Sequence, residues 1–141
     1  MNKRKNVTYN DEKIVVVSGG FDPFHIGYLK MFKKAKKLGD KLIVILNNDN
    51  WIKANKGYIF MNRKDRKEMI DAFACVDEVM LSYHESNPKD VSVCAELEVI
   101  RPQIFANGGD KKRNNIPEYE LCKDLNIKMV FNVGSIKTKN K

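Results

Sequence analysis

The sequence predicts an α/β fold: a five-stranded parallel sheet with helices on both faces, in a single domain. Three observations carry this. Short apolar runs of strand length recur five times along the chain. Between them lie segments whose apolar residues repeat at helical spacing. A chain of 141 residues with a hydrophobic fraction of 43% can cover one sheet but cannot supply a second substrate domain. Strands that alternate with helices form parallel sheets.

Residues 1–12 read as a basic N-terminal tail and 13–141 as the domain. Ile14–Val17 is apolar throughout, as a strand buried on both faces must be. Ile26, Leu29, Phe32, Ala35 and Leu38 then recur every third position and predict a helix from His25 to Leu38, with Gly39 as its stop. Leu42–Leu46 is a second buried strand. Trp51–Met61 shows no clear period and predicts a loop, of the length that often serves as a lid. Asn62 is a good cap for a helix through Ala74. Val79–Leu81 is a third strand and Tyr83–Lys89 a polar loop. Asp90 is suited to cap a helix that carries Val93, Cys94, Leu97 and Ile100 and closes before Pro102. Gln103–Ala106 is a fourth strand. Pro117 suits a first helical position, and Leu121, Cys122 and Leu125 give that helix an apolar side. Lys128–Phe131 is a fifth strand.

Composition narrows the function. The formal net charge is +8, which suits a polyanionic partner. The lysines are spread along the chain, and the aromatics do not interleave with them as a base-stacking platform requires. An anionic small molecule therefore fits better than nucleic acid. No apolar run approaches a membrane span, and the N-terminus lacks a secretory pattern, so a cytoplasmic protein is expected. Cys75, Cys94 and Cys122 form no metal-ligating spacing and read as buried free thiols.

The first strand opens into Ser18-Gly19-Gly20-Phe21-Asp22-Pro23-Phe24-His25-Ile26-Gly27-Tyr28: strand, glycine turn, helix. Glycines let backbone approach a ligand, and the first amides of a helix suit phosphate. The turn is neither a Walker A sequence nor Gly-x-Gly-x-x-Gly. The loops after strands one, two, four and five all project from the same sheet edge, where parallel sheets bind ligands.

Gly20-Phe21-Asp22-Pro23-Phe24-His25-Ile26-Gly27-Tyr28 resembles the G-x-F-D-x-x-H-x-G-H signature of the cytidylyltransferase-like nucleotidyltransferases. Glycerol-3-phosphate cytidylyltransferase and the heptose-phosphate adenylyltransferases belong to this superfamily. Lys56-Gly57, Arg66, Val76-Asp77-Glu78-Val79, Asn107-Gly108-Gly109-Asp110 and Ile116-Pro117-Glu118 continue the resemblance in order. Tyr28 stands where the signature has its second histidine. Gly134-Ser135-Ile136-Lys137-Thr138 matches the family's C-terminal I-S-T-T or S-S-S run only in part.

The resemblance implies a Rossmann-like sheet and a nucleotidyltransferase. The reaction would move a nucleoside monophosphate, CMP in the first instance, from a nucleoside triphosphate to a phosphorylated sugar or polyol and release pyrophosphate. Transfer of AMP, as in the heptose-phosphate enzymes, is one alternative. A nucleotide-binding protein without turnover is another. The attacking group is already a phosphate anion, so catalysis needs positioning and positive charge rather than a strong base. His25, Lys56 and Tyr28 are the catalytic candidates. Gly19, Gly20, Phe21, Asp22, His25, Gly27, Lys53, Arg66, Asn107, Gly109, Asp110, Ser135, Lys137 and Thr138 are the nucleotide-binding candidates. Mg2+ is the expected cofactor, bridging phosphate oxygens with few protein ligands; Asp22 and Asp110 are candidates to meet it. Homodimers are common among similar proteins.

Each residue also has a plainer reading. His25 alone is an ordinary helix-start residue, and Asp22 a turn residue. Tyr28 is at helical spacing to pack with Met31. Gly108-Gly109-Asp110 reads as a turn, Lys53 and Lys56 as solvated, and Arg63 and Arg66 as surface pairs. His84 reads as inert, and Trp51 as packing rather than base stacking.

Overall fold

A computed structural model describes residues 12–108 and 116–134. Its elements are β1 (Ile14–Gly19), α1 (Ile26–Lys36), β2 (Lys41–Leu46), α2 (Asp49–Lys56), α3 (Arg63–Asp71), β3 (Glu78–Leu81), α4 (Cys94–Ile100), β4 (Ile104–Ala106), α5 (Tyr119–Asp124) and β5 (Lys128–Val130). The strands form one five-stranded sheet in the order β3-β2-β1-β4-β5, and every pairing is parallel. The strand order reverses between β1 and β4, so the loops after these two strands flank the switch point where such sheets bind ligands.

Alternation along the strands divides the core. Val15, Val17, Leu42, Val44 and Leu46 face one side and pack with Phe32, Ala35 and Ile70 of α1 and α3. Val16, Ile43, Ile45 and Phe105 face the other and pack with Leu97 and Cys122 of α4 and α5. Helices therefore cover both faces, as the apolar runs require. Phe32 and Leu42 are fully buried, and truncating such a side chain to Ala typically costs about 2–5 kcal/mol.

Four local expectations are corrected. The predicted loop Trp51–Met61 is half helix: α2 begins at the Asn48 cap, whose side chain accepts from Trp51 N, and ends at Gly57 with φ 88°. Gly39 does not stop α1 through a left-handed turn. It lies against the start of β1, where a Cβ would come within 2.7 Å of the Lys13 carbonyl oxygen. Asp90 does not cap α4. Its Oδ1 accepts from the N and Oγ of Ser92, two residues on, and this local turn competes with capping. Pro117 precedes α5 in a turn rather than opening the helix. The Asn62 cap holds, with Oδ1 accepting from Asp65 N.

The thiols pack. Burial raises the pKa of all three, that of Cys122 to about 11, with Glu118 adding to the rise. Among the described residues no helix is long and apolar enough to cross a membrane.

Candidate active site

β1 delivers the chain to the switch point, and three residue choices shape the turn that follows. Gly19 leaves room for the Phe21 ring, which folds back so closely that a Cβ on Gly19 would lie 2.7 Å from Phe21 Cζ. Phe21 takes a left-handed φ of 51°. Its buried ring meets Tyr28 and Phe32 edge to face, with centroids 4.9 and 5.2 Å away. Gly20 plays the same part toward α2, where a Cβ would meet Ile52 Cδ1 and Trp51 Cζ3 at 2.8 Å. The glycines serve close packing of the turn on itself and on α2.

His25 is the N-cap of α1. Its Nδ1 accepts from Gly27 N at 3.1 Å, and its carbonyl accepts from Tyr28 N at 3.0 Å. Gly27 permits this, since a Cβ there would sit 3.0 Å from His25 Cε1. The Nδ1 bond places the neutral ring's proton on Nε2. His25 is exposed, so an Nε2–H donor points out from a helix N-terminus. Two amides of the first turn, those of Gly27 and Tyr28, are engaged within the turn itself.

Tyr28 stacks on the imidazole, with ring centroids 4.0 Å apart and planes inclined by 25°. The stack supports one face of the histidine ring.

Asp22 is buried, at 3% exposure, and its two carboxylate oxygens accept from Phe60 N (2.8 Å) and Met61 N (2.6 Å). Through these two bonds it fixes the loop between α2 and α3. Lys56 Nζ donates to the Asp22 carbonyl at 2.6 Å, which puts an ammonium group against the signature turn. Lys53 lines a groove with Asn50, Ser86 and Asn87.

Arg66 is fully buried. Its Nε donates to Met61 O, its Nη1 to Gly20 O and Asn47 O, and its Nη2 to Asp49 Oδ1, all between 2.7 and 2.9 Å. In this arrangement the guanidinium joins the turn after β1, the end of β2, the start of α2 and the loop before α3. It reaches no open surface, so its expected contact with phosphate gives way to a structural one. Asn47, which follows β2 and accepts from Arg66, donates its backbone N–H to Gly19 O.

Asn107 follows β4, with its backbone N–H on Val130 O and its carbonyl accepting from Val133 N. Gly134, with φ 71°, packs on α1, where a Cβ would come within 2.7 Å of Met31 Cα. Gly109, Asp110, Ser135, Lys137 and Thr138 lie outside the described residues. Among the described residues no group of three or more His, Cys, Asp or Glu side chains is placed to hold a metal ion. The structure thus gathers Gly19, Gly20, Phe21, Asp22, His25, Gly27, Tyr28 and Lys56 at one turn and sets Lys53 apart.

One side chain taken for inert is structural, and one buried side chain was not singled out at all. His84 is buried, with Nδ1 2.8 Å from Ser82 Oγ and Nε2 2.8 Å from Ser92 O, and it pins the loop after β3. Glu96 is 1% exposed, and no helical pattern in the sequence sets it apart from a solvated glutamate.

A glycine turn, a helix N-terminus and an outward imidazole at the switch point of a parallel sheet define a nucleotide-handling α/β domain. The chain belongs to the cytidylyltransferase-like family of nucleotidyltransferases, whose family model matches residues 16–137. It is similar to the bifunctional protein HldE of Koribacter versatilis, at 33% identity over 103 residues, which is 72% of this chain and 20% of that protein. HldE of Helicobacter pylori strain J99 is 34% identical over 120 residues, 84% of this chain and 25% of that protein. The chain therefore spans about a fifth to a quarter of the length of these curated relatives. The lipopolysaccharide core biosynthesis protein of Thermoplasma volcanium has a similar fold, with a TM-score of 0.69 at 26% identity, covering 92% of this chain and 99% of that one.

Proposed function

We propose that the chain transfers a nucleoside monophosphate, CMP in the first instance, from a nucleoside triphosphate to a phosphorylated sugar or polyol. A phosphate oxygen of the acceptor bonds to the α-phosphorus, the bond from that phosphorus to the bridging oxygen breaks, and pyrophosphate leaves. The reading rests on one observation: His25 is locked by Gly27 N and by Tyr28 so that Nε2 can donate to a phosphate oxygen. Such a donor acts on charge that builds at the α-phosphate. Lys56, against Asp22, adds positive charge beside the same turn. Magnesium is proposed to arrive with the triphosphate, which needs few ligands from the protein. The similarity to HldE proteins and to a lipopolysaccharide core biosynthesis protein favours a sugar-phosphate acceptor, and with it keeps AMP transfer as the second reading.

The test is pyrophosphate release from CTP and from ATP, each with a panel of phosphorylated polyols and sugars. His25→Ala should lower the rate by about 10²–10³-fold. A variant as fast as the parent removes the mechanism. Binding of triphosphate without any product would instead support the reading of a binding protein that lacks turnover.

A further inference from the structure

Trp51 stands on the first turn of α2, between two segments that are far apart in sequence. One long edge of its indole lies against the signature turn, where a Cβ on Gly20 would come within 2.8 Å of Cζ3 and 3.5 Å of Cε3. The opposite edge carries Nε1, which donates to Val91 O at 2.9 Å. The ring thus fills the span from Gly20 to Val91 and is held on both sides. Its backbone is fixed as well, since Trp51 N donates to Asn48 Oδ1 at 3.0 Å.

Both segments are anchored. The loop at residues 82–92 is closed on itself by His84, whose two ring nitrogens lie 2.8 Å from Ser82 Oγ and Ser92 O. Asp90 Oδ1 accepts from the N and Oγ of Ser92 and so folds a tight turn around Val91. Asn48 and Asn50 add bonds from the start of α2 to the carbonyls of Ser82 and His84. On the other side, Gly20 O accepts from the buried Arg66, and the next residue, Phe21, takes a left-handed φ of 51°. A bulky residue keeps such a conformation only where its surroundings enforce it. Space filling alone does not account for an indole at this position. Ile52 is the one buried residue of α2, and an aliphatic side chain at 51 would cover Gly20 without a bond to Val91. The indole N–H is what joins the two segments.

We propose that Trp51 is a positioning residue for the phosphate site. Through it the loop at residues 82–92 braces the signature turn and keeps His25 where it meets the triphosphate. The proposal rests on the nucleotidyltransferase reading and adds to it a residue that acts through the turn.

The experiment is calorimetric titration of the full chain with CTP and with ATP, magnesium present, on the parent, Trp51→Phe, Asp90→Ala and the double variant. Trp51→Phe keeps an aromatic ring on Gly20 and removes the donor. Asp90→Ala, at an exposed position, releases the turn that presents the Val91 carbonyl. It also removes a negative charge, which by itself favours a polyanion, so weaker binding in this variant reads the brace and not the field. Each single variant should bind the triphosphate about fivefold or more weakly, and the double variant about as weakly as the worse single, because one linkage is cut twice. A role confined to stability would lower the urea midpoint and leave the affinities alone. Affinity within about twofold of the parent in either single variant would overturn the proposal, as would losses that multiply in the double variant. If the phenylalanine variant misfolds, Asp90→Ala alone decides, since its side chain lies on the surface. A parent chain that binds neither triphosphate would count against the transferase reading itself, and the brace would fall with it.

Discussion

The Tyr28 ring lies nearly parallel to the His25 imidazole, 4.0 Å from it. This contact explains how a tyrosine can stand where the family signature has a second histidine. The aromatic face holds the first imidazole in place, and the face does not depend on the hydroxyl. Tyr28→Phe should therefore keep pyrophosphate release within a few-fold of the parent. Tyr28→Ala should lose about tenfold or more, a cost of misplacing the donor that corresponds to about 1.4 kcal/mol. Equal rates for the phenylalanine and alanine variants would show that the stack does not position His25.

Asp22 is expected to matter for stability before it matters for rate. Its carboxylate takes two backbone amides out of water, and Asp22→Ala would orphan both. Leaving a buried donor unpaired costs about 1–3 kcal/mol. Chemical denaturation should show a loss of at least that size. Proteolysis should cut first near Tyr58 and Phe60, whose side chains are already exposed.

Arg66→Lys should be nearly as damaging as Arg66→Ala. The guanidinium makes four hydrogen bonds in fixed directions, and an ammonium group cannot reproduce that fork. Loss of the buried fork also leaves Asp49 with only the exposed Arg63 as a partner. The check is the urea midpoint of both variants. A lysine variant of parental stability would show that the guanidinium is replaceable.

Stability should fall in acid for identifiable reasons. Burial works to raise the pKa of Asp77, but Lys36 Nζ at 2.6 Å and Leu42 N at 2.8 Å hold it below the usual value. Ser92 lowers Asp90 through its hydroxyl and its amide. A carboxyl whose pKa is lower in the folded state binds protons more readily in the unfolded chain. Its stabilisation is whole above the ordinary aspartate value of about 4 and is lost as pH falls through the lowered one. Lys36→Met should flatten this fall, read as denaturation midpoint against pH. An unchanged slope would remove Asp77 as a source.

The contrast between β2 and α2 shows what could be read from residues alone. Leu42–Leu46 is apolar at every position and buried at every position, so sequence and burial carry the same signal. In α2 only Ile52 is buried, and one apolar residue sets no period. The Asn62 cap was legible because its bond spans three residues. The partners of Arg66 lie up to 46 residues away, so only the folded chain distinguishes this arginine from a surface one. The signature turn was recognisable as a site. The ring support from Tyr28 and the burial of Glu96 depend on which elements meet, and no local pattern encodes that.

The network around Asp22, Lys56 and Arg66 also bears on how this domain can be altered. Side chains of Asp22, Lys56 and Arg66 tie the turn after β1 to α2, to the loop before α3 and to α3 itself, each by a bond to a backbone atom. They form one transplantable block from Gly20 to Arg66 rather than two. A chimera that borrows the turn from a homologue and keeps the resident loop should assemble poorly, whereas one whose junctions fall outside that block should assemble intact.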